Sequence, residues 1–188
     1  YIDDALYEQG RAFVQLEDNA NAIERFQLLV KNFPQSHMAR RAANEIGLLY
    51  YQDDKYPEAI AAYKDVIKNY PGSEEARLAQ RDLKSIYIDL NKVDEYADFA
   101  STIPGGANFD VNERDSLTYV AAERVYMRGE NVEARNSFVK YLQTFPEGAF
   151  SLNANYYIGL IDYNQQNYES ASAHLNKVLE YPNNKYSE

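Results

Sequence analysis

Apolar residues recur along this chain with the spacing of helices that bury one side and expose the other. Polar residues fill the intervening positions, and short polar stretches separate one apolar run from the next. Two runs that show the helical spacing are Ile23, Phe26, Leu29 and Val30, and Ile60, Tyr63, Val66 and Ile67. The pattern predicts a succession of amphipathic helices and an all-α fold.

The proline residues show that these runs belong to an internal repeat. Four aromatic–proline pairs occur, at Phe33-Pro34, Tyr70-Pro71, Phe145-Pro146 and Tyr181-Pro182. Their spacings of 37, 75 and 36 residues correspond to one period, two periods and one period. A fixed period of this length is the signature of a repeat protein.

A second set of positions has the same period. It comprises Ala22, Ala59, Tyr96, Ala134 and Ala171, at intervals of 37, 37, 38 and 37 residues. Twelve residues before each of them lie Gly10, Gly47, Lys84, Ala122 and Gly159. A small residue, a second one twelve positions later and a proline twelve positions after that form a recurring unit.

This unit resembles the tetratricopeptide repeat, and the resemblance covers essentially the whole chain. It is closest at Gly47-Leu48-Leu49-Tyr50-Tyr51, followed by Tyr56-Pro57-Glu58-Ala59 and then by Tyr70-Pro71. The resemblance implies a right-handed α–α superhelix of about five helix-turn-helix repeats, each with a first helix A and a second helix B. We expect a single array with repeats at about 1–36, 37–73, 74–111, 112–149 and 150–188.

Local chemistry agrees with paired helices. We expect the small residues, such as Gly47 and Ala59, to lie where the backbones of helices A and B approach most closely. The proline disfavours helical geometry in the residue before it and so closes helix B. Ser36 and Ser73 follow two residues later and are suited to cap the next A helix. A single hairpin cannot bury its apolar face, so stacked neighbours provide the stability.

The third repeat departs from the pattern. Lys84 and Tyr96 stand where the other repeats have small residues, and the sequence Ile103-Pro104-Gly105-Gly106 ends helix B early. Asp110 and Glu113 are spaced as a capping box for the next helix. Two interpretations remain open, a degenerate repeat with a longer loop, or a hinge or change of superhelical pitch. The register continues through this region, so we predict no domain boundary.

Composition excludes several functions. The net charge is -10, from 29 acidic and 19 basic residues, which argues against a nucleic-acid partner and against docking on an anionic membrane. The chain has no cysteine, which excludes disulfides and thiolate metal sites. No run approaches the roughly 18 apolar residues of a membrane helix. The chain begins without Met and ends at Lys185-Tyr186-Ser187-Glu188, which indicates a piece of a longer protein.

Catalytic and metal-binding patterns are absent from the sequence. The only histidines are His37, which we expect to face solvent, and His174, which we expect to be a structural residue near the core. The carboxylate pairs Asp3-Asp4 and Glu74-Glu75 fall in first turns of A helices, where acids favour the helix dipole. We therefore predict no enzyme activity, no cofactor and no metal.

The resemblance implies that the A helices line a concave binding groove. Carrying the family's groove positions onto this register gives two clusters, arginine in the first half of the chain and tyrosine in the second. The candidates are Tyr7, Arg11, Arg41, Asn44, Tyr51, Arg81, Tyr119, Tyr126, Tyr156 and Tyr163. Tyrosine and arginine are enriched at interfaces. The tyrosines are equally compatible with packing between repeats.

The function implied is a scaffold that binds a peptide or partner protein. The segments Phe-Pro-Gln-Ser at 33–36 and Tyr-Pro-Gly-Ser at 70–73 resemble those of the TolA-binding and outer-membrane-assembly lipoprotein group of Gram-negative bacteria. That likeness implies a periplasmic or outer-membrane-associated location. The alternatives are a glycan-binding module of the outer-membrane lipoprotein type and a purely architectural array. The oligomeric state is left open.

Overall fold

The computed structural model describes residues 1–104 and 110–181. Over these residues the chain forms helices and turns, without strands, and it divides into two compact units. We call them unit 1, Tyr1–Ile86, and unit 2, Tyr87–Glu188. The boundary falls inside the third predicted repeat, where the sequence pattern is irregular. Whether the whole chain is one array, with the five predicted repeat boundaries, stays a prediction.

Unit 1 contains two complete helical hairpins and most of a fifth helix. Its helices are α1 (Ile2–Gln15), α2 (Asn19–Asn32), α3 (His37–Gln52), α4 (Tyr56–Asn69) and α5 (Glu74–Asp89), whose last residues belong to unit 2. The core lies between α1, α2 and α3 and is built around the fully buried Phe26 and Leu29. Both residues belong to the apolar set that predicted helix α2.

Unit 2 also consists of alternating A and B helices. Its helices are α6 (Val93–Ser101), α7 (Val111–Met127), α8 (Asn131–Thr144), α9 (Ser151–Asn164) and α10 (Tyr168–Leu179). The core lies between α7, α8 and α9, around Val125, Phe138, Tyr141 and Ile158. The predicted all-α class and the five helix-turn-helix pairs are confirmed. None of the described helices is both long and apolar enough to cross a membrane.

The turn inside each hairpin has the same backbone geometry in all five repeats. One residue per turn has a positive φ, at Glu17, Asp54, Asn91, Gly129 and Gln166. The next residue's N–H reaches back to a carbonyl of the preceding helix, for example Lys55 to Tyr50 at 2.9 Å and Asn167 to Asp162 at 2.8 Å. This left-handed closure satisfies carbonyls at the helix end. Its interval of 37 or 38 residues reproduces the predicted register.

The predicted caps are present. Ser36 Oγ accepts a hydrogen bond from Met38 N at 3.1 Å, and Ser73 Oγ accepts one from Ala76 N at 3.0 Å. Asp110 caps α7 by accepting from Asn112 N at 3.0 Å, and the reciprocal Glu113 bond of the predicted capping box stays a prediction. Helix α6 ends at Ser101 and is shorter than the other B helices, as predicted. The expected Gly105-Gly106 break and the expected opening of a further repeat at 185–188 lie outside the described residues.

The structure adds detail to the role predicted for the small residues. A Cβ added to Gly47 would lie 2.7 Å from the Tyr63 ring, and one added to Gly10 would lie 2.3 Å from the Phe26 ring. At these two positions the closest neighbour is therefore a ring on helix B, four residues after the small B-helix residue. The space that glycine leaves open is filled by an aromatic side chain. A Cβ added to Gly159 would lie 3.5 Å from the backbone oxygen of Ala171, the small residue of its own repeat's helix B.

Candidate functional site

A cleft in unit 1 lies against α3 and the start of α5, and it contains two of the predicted groove residues. Its volume is ≈ 270 Å³, just below the roughly 300–1,000 Å³ that is usual for small-molecule pockets. The lining residues are His37, Arg41, Asn44, Glu45, Glu74, Glu75 and Leu78. His37 is exposed at the edge of this cleft, as predicted. Both helices are A helices in the predicted register.

Arg41 is held in place by Tyr7. The guanidinium carbon lies 5.0 Å from the centroid of the Tyr7 ring, within cation–π range. The Tyr7 side chain is only 3% exposed and packs in the unit 1 core, where its ring lies 5.7 Å from Phe26. Tyr7 is therefore removed from the set of surface candidates, because its ring is covered by core residues and by Arg41. Its effect on the cleft is to position Arg41.

The charge in this cleft is mixed rather than basic. Burial raises the pKa of the Glu45 carboxyl, and the positive charges of Arg41 and Arg11 oppose that rise. Glu74 and Glu75 add two further carboxylates to the lining. The arginine cluster predicted from sequence is thus offset by acids on the same surface, so the cleft suits a ligand with both a hydrogen-bond acceptor for Arg41 and a positive charge for the carboxylates.

Asn44 contributes an unsatisfied acceptor. Its side-chain Oδ1 is buried and has no hydrogen-bond partner among the described residues. A buried carbonyl oxygen without a partner costs about 1–3 kcal/mol, so such atoms are uncommon in folded proteins. The oxygen has almost no accessible surface, so a ligand N–H can reach it and remove that cost only when the Asn44 side chain rotates towards the cleft. Asn44 is the predicted groove residue whose chemistry most directly indicates binding.

The other two predicted arginines differ from Arg41. Arg11 lies close enough to affect the Tyr7 and Glu45 side chains electrostatically, and it also pairs with Glu8 at 3.7 Å. Arg81 pairs with its neighbour Asp82 at 2.9 Å and does not line the cleft. The structure therefore brings Arg11 and Arg41 to one region and leaves Arg81 outside it.

The predicted tyrosines of unit 2 divide into packing and exposed residues. Tyr119 is only 4% exposed and stacks on Phe150 at 4.5 Å, so it too leaves the surface set, because core rings cover it. Tyr126 and Tyr156 both contact Tyr157, with centroid distances of 4.8 and 5.8 Å. The Tyr126 contact joins α7 to α9, whereas Tyr156 contacts its own neighbour on α9. Packing between helices therefore accounts for Tyr119 and Tyr126.

Two predicted tyrosines are exposed, and each has an aromatic neighbour across its hairpin turn. Tyr163 is 59% exposed and lies 5.6 Å from Tyr168 in an edge-to-face arrangement. Tyr51 occupies the same repeat position in unit 1 and lies 5.9 Å from Tyr56. These residues stay predicted contact residues. Glycan binding, the alternative function, also stays a prediction.

A buried polar cluster in unit 2 was not predicted beyond His174. Asp162 is 0% exposed and accepts hydrogen bonds from Arg135 Nε at 2.5 Å, Arg135 Nη2 at 3.0 Å and Ser170 Oγ at 2.6 Å. The Arg135 hydrogen bonds hold the pKa of Asp162 below its ordinary value. Three helices, α8, α9 and α10, contribute to this cluster, which no local spacing in the sequence could reveal.

The same cluster contains serine, histidine and aspartate without forming a catalytic triad. In a triad the nucleophile bonds to the histidine, and the histidine bonds to the acid. Here Ser170 donates directly to Asp162, and His174 Nδ1 lies 2.8 Å from Asn155 Oδ1. Burial lowers the pKa of His174. The geometry is that of a structural network, in agreement with the role predicted for His174.

A second buried carboxylate ties the α8–α9 turn to α7. Asp115 accepts from Ala149 N at 2.8 Å and from the Tyr141 hydroxyl, which in turn accepts from Phe150 N at 3.1 Å. Asp3 occupies the same repeat position in unit 1 and accepts from Ser36 Oγ at 2.6 Å. These paired positions, 112 residues apart, were a periodic signal available in the sequence.

The cleft was only partly visible from the sequence. Glu45, Glu74, Glu75 and Leu78 were not among its predicted residues. Glu45 follows Arg41 by four residues, which places the two on one helical face and was the available signal. Among the described residues there is no group of three or more potential metal-ligating side chains.

Glu45 gives a prediction that concerns pH. Burial raises the pKa of the Glu45 carboxyl, so the folded protein keeps this group protonated to a higher pH than the unfolded chain does. The stability of the protein therefore falls as pH rises from the ordinary carboxyl pKa through the raised pKa of the folded state. We expect Glu45→Gln to stabilise the protein relative to wild type at about pH 7 and to give a smaller gain at about pH 4. Urea titrations followed by circular dichroism measure the difference. An equal gain at both pH values would contradict the assignment.

The fold and cleft define a helical-repeat protein with a surface on its A helices, and sequence comparison agrees. Residues 7–74 match the tetratricopeptide repeat family. Repeats of this kind stack into extended binding surfaces and are typical of protein-interaction scaffolds. A search of curated proteins found no match to the chain.

Several solved structures are similar to this chain over most of its length. MamA from Desulfovibrio magneticus RS-1, residues 41 to the end, has 11% identity and a TM-score of 0.46, covering 95% of this chain and 93% of its own. A tetratricopeptide repeat protein from Parabacteroides merdae has 15% identity and a TM-score of 0.46, covering 95% and 66%. Kinesin light chain-like repeats from Podosopora anserina have 14% identity and a TM-score of 0.41, covering 94% and 92%.

Proposed function

We propose that this protein is a non-catalytic scaffold that binds an extended segment of a partner protein along the A-helix surface of unit 1. The observation that carries the proposal is the buried Asn44 Oδ1 without a hydrogen-bond partner in the described part of the chain. An extended peptide presents backbone N–H groups that are not used internally. One of them can donate to the Asn44 oxygen once that side chain rotates towards the cleft, which satisfies the acceptor.

The neighbouring side chains would orient that segment. Arg41, held over the Tyr7 ring, presents its donors to a carbonyl or carboxylate of the partner. Glu45, Glu74 and Glu75 provide acceptors for a basic side chain on the other side of Asn44. Because Arg41 is already positioned, it loses little conformational freedom on binding, which favours affinity.

The proposal predicts that a charge reversal in the cleft weakens binding. We expect Arg41→Glu to weaken the affinity for a purified partner by at least ~10-fold, because it removes the positioned donors and adds a fourth carboxylate. The partner would first be captured from envelope extract and identified by mass spectrometry. Calorimetry then measures its affinity for each variant.

Arg25→Glu is the matched control, since Arg25 lies on α2, outside the cleft, and pairs only with its neighbour Glu24 at 3.8 Å among the ion pairs described. We expect this variant to bind as wild type does. Equal affinity of the Arg41→Glu and wild-type proteins would refute the proposal. Circular dichroism spectra of both variants establish that they are folded.

A location in the cell envelope is part of the proposal. It rests on the resemblance of the aromatic–proline segments at 33–36 and 70–73 to envelope repeat proteins. Fractionation of cells that express the full-length protein, followed by immunoblotting of periplasmic and membrane fractions, tests it. Detection only in the cytoplasm would contradict this part of the proposal and leave the binding cleft unaffected.

A further inference from the structure

Unit 1 has a second pocket on a different side of α3 from the cleft. It has a volume of ≈ 400 Å³ and is lined by residues of α2, α3 and α4. Its apolar lining includes Ala43, Ile46, Ala62 and Val66, together with the rings of Tyr50 and Tyr70. None of these residues belongs to the A-helix cleft. A pocket of this size is large enough for a bulky side chain or a small ligand.

The repeat register shows what fills the corresponding position in unit 2. Adding 112 residues converts Ala43 into Asn155 and Ala62 into His174. In unit 2 these two side chains bond to each other, with His174 Nδ1 2.8 Å from Asn155 Oδ1. Unit 1 has a methyl group at each of the two positions. Where unit 2 places an imidazole ring and a carboxamide between its helices, unit 1 has open space.

The surface of the pocket favours an apolar occupant. Ile46 is 8% exposed and Val66 is 1% exposed, so these side chains are almost covered by protein and yet border the pocket. Burying the ring of a partner residue against such a floor removes apolar surface from water on both sides. A ring matches the space because the same helical frame encloses one in unit 2.

The edge of the pocket is negatively charged. Lys31, Glu58 and Asp65 are exposed residues of its lining, which gives two acids and one base. None of the three forms an ion pair within the described residues. A ligand with positive charges on either side of its apolar group would complement this edge and avoid leaving the carboxylates next to apolar surface.

We propose that this pocket receives an aromatic side chain of a partner protein, flanked in the partner by lysine or arginine. The aromatic ring occupies the space that His174 and Asn155 fill in unit 2, and the basic residues face Glu58 and Asp65. Such an anchor residue in a preformed pocket is the usual centre of a protein interface. The site is separate from the A-helix cleft, so it gives the protein a second binding surface.

The experiment uses short peptides and the whole chain. The probe is acetyl-Lys-Ala-Phe-Ala-Lys-amide, titrated into isotope-labelled protein and followed by NMR. We expect saturable shifts at the amides of Ala43, Ile46, Ala62 and Val66, with a dissociation constant on the order of 1 mM for so small a ligand. The peptides with alanine in place of phenylalanine, and with glutamate in place of lysine, are expected to bind at least ~10-fold more weakly.

Variants taken from unit 2 make the test specific. The double variant Ala43→Asn with Ala62→His introduces the pair found in unit 2 and is expected to abolish the shifts. Asp65→Lys changes an exposed residue at the edge of the pocket and is expected to weaken peptide binding several-fold. This variant provides the test if the double variant does not fold. Arg41→Glu, which alters only the cleft, is expected to leave the affinity unchanged.

The opposite change gives a second, independent readout. Asn155→Ala with His174→Ala opens the corresponding space in unit 2, but Ser170 and Lys177 stand there at the positions of Glu58 and Asp65. We therefore expect the aromatic peptide with glutamate in place of lysine, and not the lysine-flanked one, to shift Ile158 and Val178. The proposal is overturned if the aromatic and alanine peptides bind with equal affinity. It is also overturned if the Ala43→Asn, Ala62→His double variant and the Asp65→Lys variant both bind the aromatic peptide as wild type does. The Arg41→Glu variant is measured in parallel. Loss of the pocket proposal can therefore be distinguished from loss of the proposal that the A-helix cleft binds a partner.

Discussion

Arg135→Met is expected to destabilise the protein by about 3–5 kcal/mol, because it leaves the Asp162 carboxylate buried without its positive partner. Asp162 is fully buried, and two of the three donors that reach it come from Arg135. Methionine keeps most of the aliphatic length of arginine, so the loss reports the missing charge more than a missing side chain. The free energy of unfolding from urea titration measures it.

The pH dependence separates this mechanism from a packing defect. In wild type the lowered pKa of Asp162 contributes stability that is present above the ordinary carboxyl pKa and is lost as pH falls through the folded-state pKa. Without Arg135 this carboxylate can relieve its burial by taking up a proton. We therefore expect the difference between Arg135→Met and wild type to shrink towards about pH 4.

Arg128→Met is the matched control for this prediction. Arg128 also pairs with a carboxylate, Glu130 at 2.8 Å, but both side chains are well exposed to solvent. Exposed ion pairs contribute about 0–1 kcal/mol, so this variant should lie close to wild type. Equal losses for the Arg128 and Arg135 variants would mean that burial of Asp162 is not the cause.

Phe138→Ala is expected to destabilise the protein by about 3–5 kcal/mol, because it opens a cavity in the core of unit 2. The Phe138 ring is fully buried and stacks on Tyr157 at 5.2 Å, and it lies 5.9 Å from Tyr119. It sits at the position that carries Phe26 and Tyr63 in unit 1, where a ring fills the space left by a small residue on helix A. Urea titration measures the loss.

Val132→Ala provides the control on the same helix. Val132 is also apolar but is 67% exposed, and a change at such a position is expected to stay within about 0.5 kcal/mol. Phe138→Leu should fall between the two variants, since it removes less volume. A Phe138→Ala variant as stable as Val132→Ala would show that this ring does not determine the packing of α8.

For the candidate cleft, helical spacing predicted only which residues share a helical face. The register placed Arg41 and Asn44 on the right surface, because residues three and four apart share a helical face. It also placed Tyr7 and Tyr119 there, although both rings are covered by core side chains. Spacing alone cannot distinguish these cases, since whether a tyrosine near the edge of a helical face is exposed depends on which side chain of the neighbouring helix reaches over it.

The sequence by itself determined the helices, their pairing and the register. Periodic apolar residues define the buried side of each helix, and the aromatic–proline pairs and caps define its ends, so these features are local and can be derived from short stretches. The same locality made the short α6 predictable, because Ile103 and Pro104 follow its last residue, Ser101, within three positions.

Only the tertiary structure decided which polar residues act together. Arg135, Asp162 and Ser170 come from three helices, and nothing in their local sequence shows that they meet. The contrast between the pocket of unit 1 and the filled space of unit 2 likewise depends on side chains from three helices. Contacts of this kind arise from packing between repeats, where a residue's partner is set by distance in space and not by spacing along the chain.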